Sequence, residues 1–348
     1  MTPPGASARA AYVIGDGPAA LTAATALAQR GWAVDLTGWA KPDGRHTRVD
    51  VLGGAALGPL ARLGISRDDL LAVARPCPGT WSRWGKDSHC LDHASSLHGA
   101  WAVDRAGLIA LLRQRALSAG VRLLGSLRAD APVLPCEASE PWTIVAAGTR
   151  PARSGDADAG AFDDRLVALL GRGTLMEAAG SVDTRLLIEA HPEGWIYGVV
   201  GPRRTVCVGI VTDAQALQGT PPAAFAAKVL SETERIARLT EAVVDRLDIV
   251  GIPVDCRRRR LKAGRRSIRV GDAHMSFDPL AGRGLWEAIY RTERVMATLD
   301  RRQHELDSME RGLRAGYARY LQQRAAFYRE GYARFGTGFW ARRGTVPP

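Results

Sequence analysis

Cysteine is scarce in this chain and its placement has no pattern. Cys77, Cys90, Cys136, Cys207 and Cys256 are five thiols, odd in number and never spaced as CxxC. A disulfide framework and a zinc ribbon are excluded, and the thiols read as reduced. His89, Cys90, His93 and His98 fall close together in a Gly/Ser-rich stretch, but their spacing fits no metal site, and no metal is expected. Long apolar runs are missing as well. No stretch approaches the roughly 18 uninterrupted apolar residues of a membrane span, and the start, MTPPGASARAAYVIGDG, has no charged segment followed by an apolar run. A cytoplasmic location without membrane association is expected. Lysine is nearly absent: Lys41, Lys86, Lys228 and Lys262 are the whole set, so the basic residues are overwhelmingly arginine.

What is present describes a packed protein. The 348 residues are 46% hydrophobic and 24% charged, inside the globular range, and long enough for two domains or for one domain carrying a large insertion. Forty-seven basic residues against 36 acidic ones leave a net charge of +11. Arg257 to Arg260 with Lys262, Arg265, Arg266 and Arg269 form a dense run, and residues 301–343 add more. Such a surface attracts anions. No helix-turn-helix, zinc finger or aromatic RNA-binding signature accompanies it, so nucleic acid is not the expected partner. An acidic protein or an anionic small molecule is.

The first forty residues hold one pattern of note. An apolar run at 11–14 stops at Gly15-Asp16-Gly17-Pro18-Ala19-Ala20; Leu21, Ala24, Leu27 and Ala28 then recur at helical spacing until Gly31, and 33–37 reads as a second strand. This βαβ unit has the length expected for dinucleotide binding. In Gly15-x-Gly17-x-x-Ala20, Gly15 permits a sharp turn, Gly17 lets a pyrophosphate approach the backbone, and small Ala20 allows close helix–strand packing, with Pro18 and Ala19 opening the helix. One element departs: the end of the second strand, where an acid usually meets the adenosine ribose, is Gly38.

Further along, helices are predicted at 51–63 and 68–74, a helix capped by Asp104 and bearing Leu108, Leu111 and Leu112, and strands at 121–124 and 142–146. A polar, Gly/Asp-rich connection at 153–164 marks a boundary. Residues 165–210 are β-rich and read as an inserted antiparallel sheet of the kind that covers an active site. A helix at 223–239, strands at 252–254 and 267–270, a helix at 285–299 and an arginine-studded helical stretch at 304–335 complete the chain. The expected fold is α/β: a Rossmann-type domain from 8–75, 100–160 and 255–300, a substrate domain from 76–99 and 161–254, and a C-terminal helical segment at 301–348.

A second glycine-punctuated segment is more specific. Residues 270–285, read from Val270 as VGDAHMSFDPLAGRGL, resemble the GDAA-x3-DPL-x-G-x-G segment of FAD-dependent monooxygenases, in the branch that includes tryptophan halogenases and the flavoprotein maturases of peptidyl quinone cofactors. The resemblance implies a glutathione-reductase-like FAD-binding domain. It implies that Asp272 meets the ribityl chain and that the turn from Pro279 through Gly282, Gly284 and Leu285 lays N–H groups against the flavin's pyrimidine side. A helix N-terminus there would stabilise the negative charge of a reduced flavin. Trp101-Ala102-Val103-Asp104-Arg105 resembles the family's DR before a helix, and Ala147-Gly148 its AxG turn, which adds Arg105 and Gly148 to the cofactor residues. Trp84-Gly85, Asp278-Pro279 and the late Phe339-Trp340-x-Arg342-Arg343 resemble the maturases of lysine-oxidase-like, glycine-oxidase-like and quinohemoprotein amine dehydrogenase precursors.

Halogenases of this branch carry Trp-x-Trp-x-Ile-Pro and an essential lysine. Here the stretch is Trp195-Ile196-Tyr197-Gly198-Val199-Val200, and Lys86, the lysine in the plausible region, reads as surface charge. No second dinucleotide motif is present, so reduction would come from transient NAD(P)H binding or an external reductant. The resemblance implies oxygen-dependent hydroxylation of an aromatic substrate, an indole or a tryptophan side chain in a precursor protein, with O2 as co-substrate. Halogenation, and a partner-binding chaperone without oxygen chemistry, are the alternatives. Trp81, Trp195 and Tyr197 are candidate substrate contacts, and His274 and Asp278 candidate catalytic groups. If an acidic precursor is steered by the basic surface, its binding should weaken as salt is raised; affinities equal at low and high salt would contradict that steering.

Overall fold

The computed structural model describes residues 9–38, 48–85, 88–92, 99–125, 141–149, 160–177, 182–244, 247–336 and 338–345. Strand β1 (Ala10–Ile14), with Ala11, Val13 and Ile14 buried, lies between two parallel neighbours. Val13 stands opposite Leu36 of β2 (Ala33–Thr37) on one side and Ile144 of Trp142–Val145 on the other. The sheet has six strands, in the order Lys262–Gly264, Ser267–Arg269, Trp142–Val145, β1, β2 and Arg122–Leu123, parallel except for the hairpin at one edge. Helix α1 (Pro18–Ala28) buries every residue from Pro18 to Leu27. A helix apolar all round is an interior helix, and this one packs against Arg105–Ser118 on one side and Thr292–Arg301 on the other.

A seven-stranded sheet makes the second layer, in the order Asp248–Pro253, Val167–Thr174, Thr205–Thr212, Gly194–Val200, Leu186–His191, Gly79–Arg83 and Ser88–Asp92. All its pairings are antiparallel except Leu186–His191 with Gly79–Arg83. Alternation gives it two unlike faces. Ile196, Val208 and Ile210 pack under helices Pro222–Ser231 and Arg235–Glu241 against Phe225, Val229 and Ile236. Trp195, Leu170 and Ile252 face the other way and meet Tyr328, Phe339 and Trp340 of the C-terminal segment. That segment is one 30-residue helix, Leu306–Phe335, followed by a short helical turn. No helix among the described residues is long and apolar enough to cross a membrane.

Three expectations are corrected. Residues 51–63 are not one helix: Val49–Gly53 is a strand, with Asp50 opposite Val103 and Leu52 opposite Trp101, and the helix is only Leu57–Arg62. β-branched Val49 and Val51 favour the strand, and Gly53-Gly54 ends it. Residues 68–74 likewise give up their last turn, since Ala74–Pro76 pairs with the same strand, Ala100–Asp104, from its other side. The helix expected at 223–239 is two, Pro222–Ser231 and Arg235–Glu241.

The break between those two helices has a cause in the sheet. The buried Glu189 carboxylate accepts the backbone N–H groups of Glu234, Arg235 and Ile236 at 2.9–3.0 Å and pairs with Arg83 at 3.1 Å. It therefore satisfies the start of the second helix from outside it and favours a fresh N-terminus at that point. Glu189→Ala should leave three backbone donors at the helix start, that of Ile236 buried, without this acceptor and Arg83 with Glu234 alone, lowering unfolding stability by about 1–3 kcal/mol in denaturant titrations. A loss below about 0.5 kcal/mol would contradict this reading of the break.

Candidate active site

A cavity of about 300 Å³ lies where the C-terminal ends of the parallel strands meet the antiparallel sheet and the loop that follows residue 270. Its first wall is the turn into α1. Gly15 has φ +136°, and a Cβ there would stand 2.3 Å from the Ala146 carbonyl oxygen, so no other residue fits. Around Gly17 the backbone is open, with nothing within 4 Å of a would-be Cβ. α1 begins at Pro18 with no side-chain cap and no acidic residue in its first turn. Its positive end, with Gly17, Pro18 and Ala19, faces the cavity ready for an anion. Gly15 and Ala20 shape this wall from behind without lining it.

The second wall is the loop. Gly271, at φ +59°, passes so close to α1 that a Cβ would meet that of Ala19 at 2.6 Å, which brings Asp272 to the cavity beside the helix start. Gly148, at the end of Trp142–Val145, lines the same side. Pro279, Gly282, Gly284 and Leu285 then turn into the next helix along the cavity edge. Asp278 fixes that turn. One carboxylate oxygen accepts the Leu280 N–H at 2.9 Å; the other accepts the Tyr328 hydroxyl at 2.6 Å and Arg324 Nε at 2.8 Å. Its own N–H donates to the Tyr320 hydroxyl at 2.7 Å. These contacts take three of the carboxylate's acceptor sites, so Asp278 positions the loop.

A charged floor joins these walls. Arg105 grips Asp50 through two hydrogen bonds of 2.6 and 3.0 Å, and Arg48 lies 3.3 Å from the same carboxylate. Burial would raise the Asp50 pKa, but Arg105 and then Arg48 hold it below the usual carboxylate range. Burial would lower Arg48, yet Asp50, with smaller pulls from Tyr197 and Asp272, holds it above the ordinary arginine value. Arg48 and Asp50 were not anticipated. They stand just before the segment read as helix, and the strand that begins at Val49 puts the i, i+2 pair on one face.

The remaining wall is apolar and aromatic, with Leu170, Ile188, Trp195, Tyr197, Ile252 and Val254 contributed by the antiparallel sheet and the turn after it. Trp195 and Tyr197 have ring centroids 6.1 Å apart. Burial pushes the Tyr197 hydroxyl far above its ordinary value, so it stays protonated. Trp195 is 2% exposed and its indole N–H has no partner. Two other candidates lie elsewhere. Trp81, opposite Leu187 in the sheet, points to the helix-covered face, with Arg235 over its ring at 4.5 Å, and does not line the cavity. His274 is buried behind the loop, outside the lining. Burial, with Arg291, Arg314 and Arg269 nearby, pushes its pKa down to about 3. A base that weak holds no proton from a substrate at neutral pH, so it is withdrawn as general base.

Lys86, His93, His98 and Cys136 lie outside the described residues. Among the described residues no group of three or more His, Cys, Asp or Glu side chains could hold a metal, and no lysine lines the cavity.

No protein-family model matches the chain, and no curated protein does. Solved structures do match. The peptidyl tryptophan dihydroxylase QhpG, essential for tryptophylquinone cofactor biogenesis, aligns with a TM-score of 0.76 at 22% identity, over 98% of this chain and 80% of that one. The flavin-dependent halogenase CmlS gives 0.79 at 20% identity, over 99% and 69%. The myxobacterial chondrochloren halogenase CndH, a variant of FAD-dependent halogenases, gives 0.79 at 22% identity, over 98% and 87%. The mixed α/β fold, with a parallel Rossmann-like sheet and antiparallel sheets, is thus the fold of these proteins. The resemblance read from the motifs extends along nearly the whole chain.

The buried His274 gives a pH dependence. Its folded pKa of about 3 lies below its unfolded value of about 6.5. The unfolded chain therefore binds the extra proton between those values, and stability falls as pH drops below about 6.5. This one group should remove roughly 2 kcal/mol between pH 6.5 and 5. His274→Gln should flatten that part of the stability profile in urea titrations; an unaltered slope would contradict the assignment.

Proposed function

We propose that this chain is an FAD-dependent monooxygenase that hydroxylates an aromatic ring, of the indole class, free or as a tryptophan side chain of an acidic precursor protein. The observation that carries the reading is the two-sided cavity. An uncapped helix start, Asp272 and the 279–285 turn form one side, and an aromatic wall with an unpaired indole N–H forms the other.

The residues present fit a flavin dinucleotide. Gly17, Pro18 and Ala19 would receive the pyrophosphate at the positive end of α1, with Gly15 and Ala20 shaping the turn behind them, Asp272 would meet the ribityl hydroxyls, and Gly148 would flank them. Pro279, Gly282, Gly284 and Leu285 would present N–H groups to the ring edge, and Arg105 would hold the floor through Asp50. Once reduced, the bound flavin would supply the activated oxygen. Everything else falls to the chain. Leu170, Ile188 and Ile252 exclude water from the reacting face. Trp195 and Tyr197 orient an aromatic ring by stacking. Arg48, positive and buried beside Asp272, favours the accumulation of negative charge in the cavity. Electrons would arrive from NAD(P)H bound transiently or from an external reductant.

The similarity to a peptidyl tryptophan dihydroxylase and to FAD-dependent halogenases supports flavin oxidation of aromatic compounds and suits both chemistries. The departure of Trp195-Ile196-Tyr197-Gly198-Val199-Val200 from the halogenase pattern favours hydroxylation. Mass spectrometry of indole or tryptophan-peptide products, with FAD, reductant, oxygen and halide supplied, separates the two. Gain of oxygen, with Lys86→Ala within about twofold of wild type, is expected; halide-dependent gain of a halogen, lost in Lys86→Ala, would overturn hydroxylation. Partner binding without oxygen consumption would point to the chaperone reading. Trp195→Ala removes the stacking ring from the wall, so KM should rise about 3- to 10-fold, and an unchanged KM would remove Trp195 from the substrate wall.

A further inference from the structure

The ribose position poses a problem that the proposed FAD site leaves open. In dinucleotide-binding folds an acid at the end of the second strand accepts a hydrogen bond from the adenosine ribose. Here β2 ends at Thr37 and the next residue is Gly38, which has no side chain to offer.

The space beside Gly38 is nevertheless filled. A Cβ built on Gly38 would stand 3.0 Å from Cβ of Asp16, and 3.7 Å from both its Cγ and its Oδ2. The Asp16 carboxylate thus lies where a side chain at position 38 would begin. The Gly15 N–H donates to the Thr37 carbonyl at 2.8 Å, which pins the turn carrying Asp16 against the end of β2. Asp16 is half-buried, lines the cavity, and has no hydrogen-bond or ion-pair partner among the described residues. It also stands just before the start of α1, where the helix dipole favours a negative charge.

We infer that Asp16 is the ribose acceptor of this chain. The carboxylate has moved from the end of β2 into the glycine turn, and Gly38 is glycine because Asp16 occupies its side-chain space. The inference rests on the FAD reading and adds a residue to it. It also explains how two unusual residues, an acid between the glycines of the turn and a glycine at the end of β2, belong together: each alone would be a defect, and jointly they keep one carboxylate at one place.

The test compares binding of FAD with binding of an FAD analogue whose adenosine ribose lacks its 2′ and 3′ hydroxyls, by flavin fluorescence titration of cofactor-free protein. Wild type should prefer FAD by about tenfold, the scale of one charge-assisted hydrogen bond. In Asp16→Asn that preference should fall below about threefold, because the amide offers the same hydroxyls only an uncharged acceptor. Gly38→Glu alone should weaken FAD binding by crowding Asp16, and Asp16→Gly combined with Gly38→Glu should recover most of the preference. An Asp16→Asn protein that discriminates as well as wild type would overturn the assignment and leave the FAD reading standing. A wild-type chain that binds neither compound would overturn both.

Discussion

The buried carboxylate of Asp278 is the contact on which the site depends. It holds Leu280 N–H, and so the direction of the 279–285 turn, while Tyr328 and Arg324 tie it to a helix 46 and 50 residues further along the chain. The pairing continues: Arg324 also reaches Asp164, Asp164 pairs with Arg343, and Arg343 with Asp213, which Arg342 holds as well. Three carboxylates and three guanidinium groups thereby link the loop, the strand Ala161–Asp164, the end of the antiparallel sheet and the C-terminal tail. Removing one member of a buried pair costs roughly 3–5 kcal/mol because its partner is left uncompensated. The value of such a chain lies in fixing one arrangement, since an apolar contact would tolerate sliding of the long helix and this network does not.

The same helix closes the apolar side. Trp340 donates its indole N–H to the His191 carbonyl at 2.7 Å and Trp84 donates to the Phe327 carbonyl at 2.7 Å, so both sheet and helix are keyed by single, directional bonds inside an aromatic cluster. Arg334 caps the carbonyls of Trp84 and Gly85 at 3.0 and 2.8 Å. The aromatic wall at Trp195 is therefore backed by packed rings, Trp84 at 6.1 Å among them, and cannot relax easily. A rigid apolar wall facing an N–H-rich wall suits the aromatic oxidation proposed for this site.

Much of this was legible in the chain because the relevant contacts are local. The turn at Gly15 to Ala20 and the segment from Gly271 to Leu285 each carry their geometry within about fifteen residues, and part of each, Gly17 to Ala19 and Asp272 with Pro279, Gly282, Gly284 and Leu285, lines the cavity. What escaped reading depends on partners far away in sequence. Val49–Gly53 is a strand because Ala100–Asp104 pairs with it, and without that register Arg48 and Asp50 cannot be placed on one face. Trp81 and Trp195 look alike as tryptophans in strands, but opposite pleat parity sends one under the helices and the other to the cavity. His274 sits beside the motif in sequence, and its burial, with arginines at 291, 314 and 269 adding to it, lowers its basicity. Arg324 and Tyr328 carry no local signal for the role they play at Asp278.

The central claim is that this cavity is a flavin site, and direct titration tests it. FAD added to the purified chain should bind with a stoichiometry of one per chain, shifting and sharpening the flavin absorption bands and altering flavin fluorescence. A spectrum identical to that of free FAD at concentrations of protein well above micromolar would contradict the account.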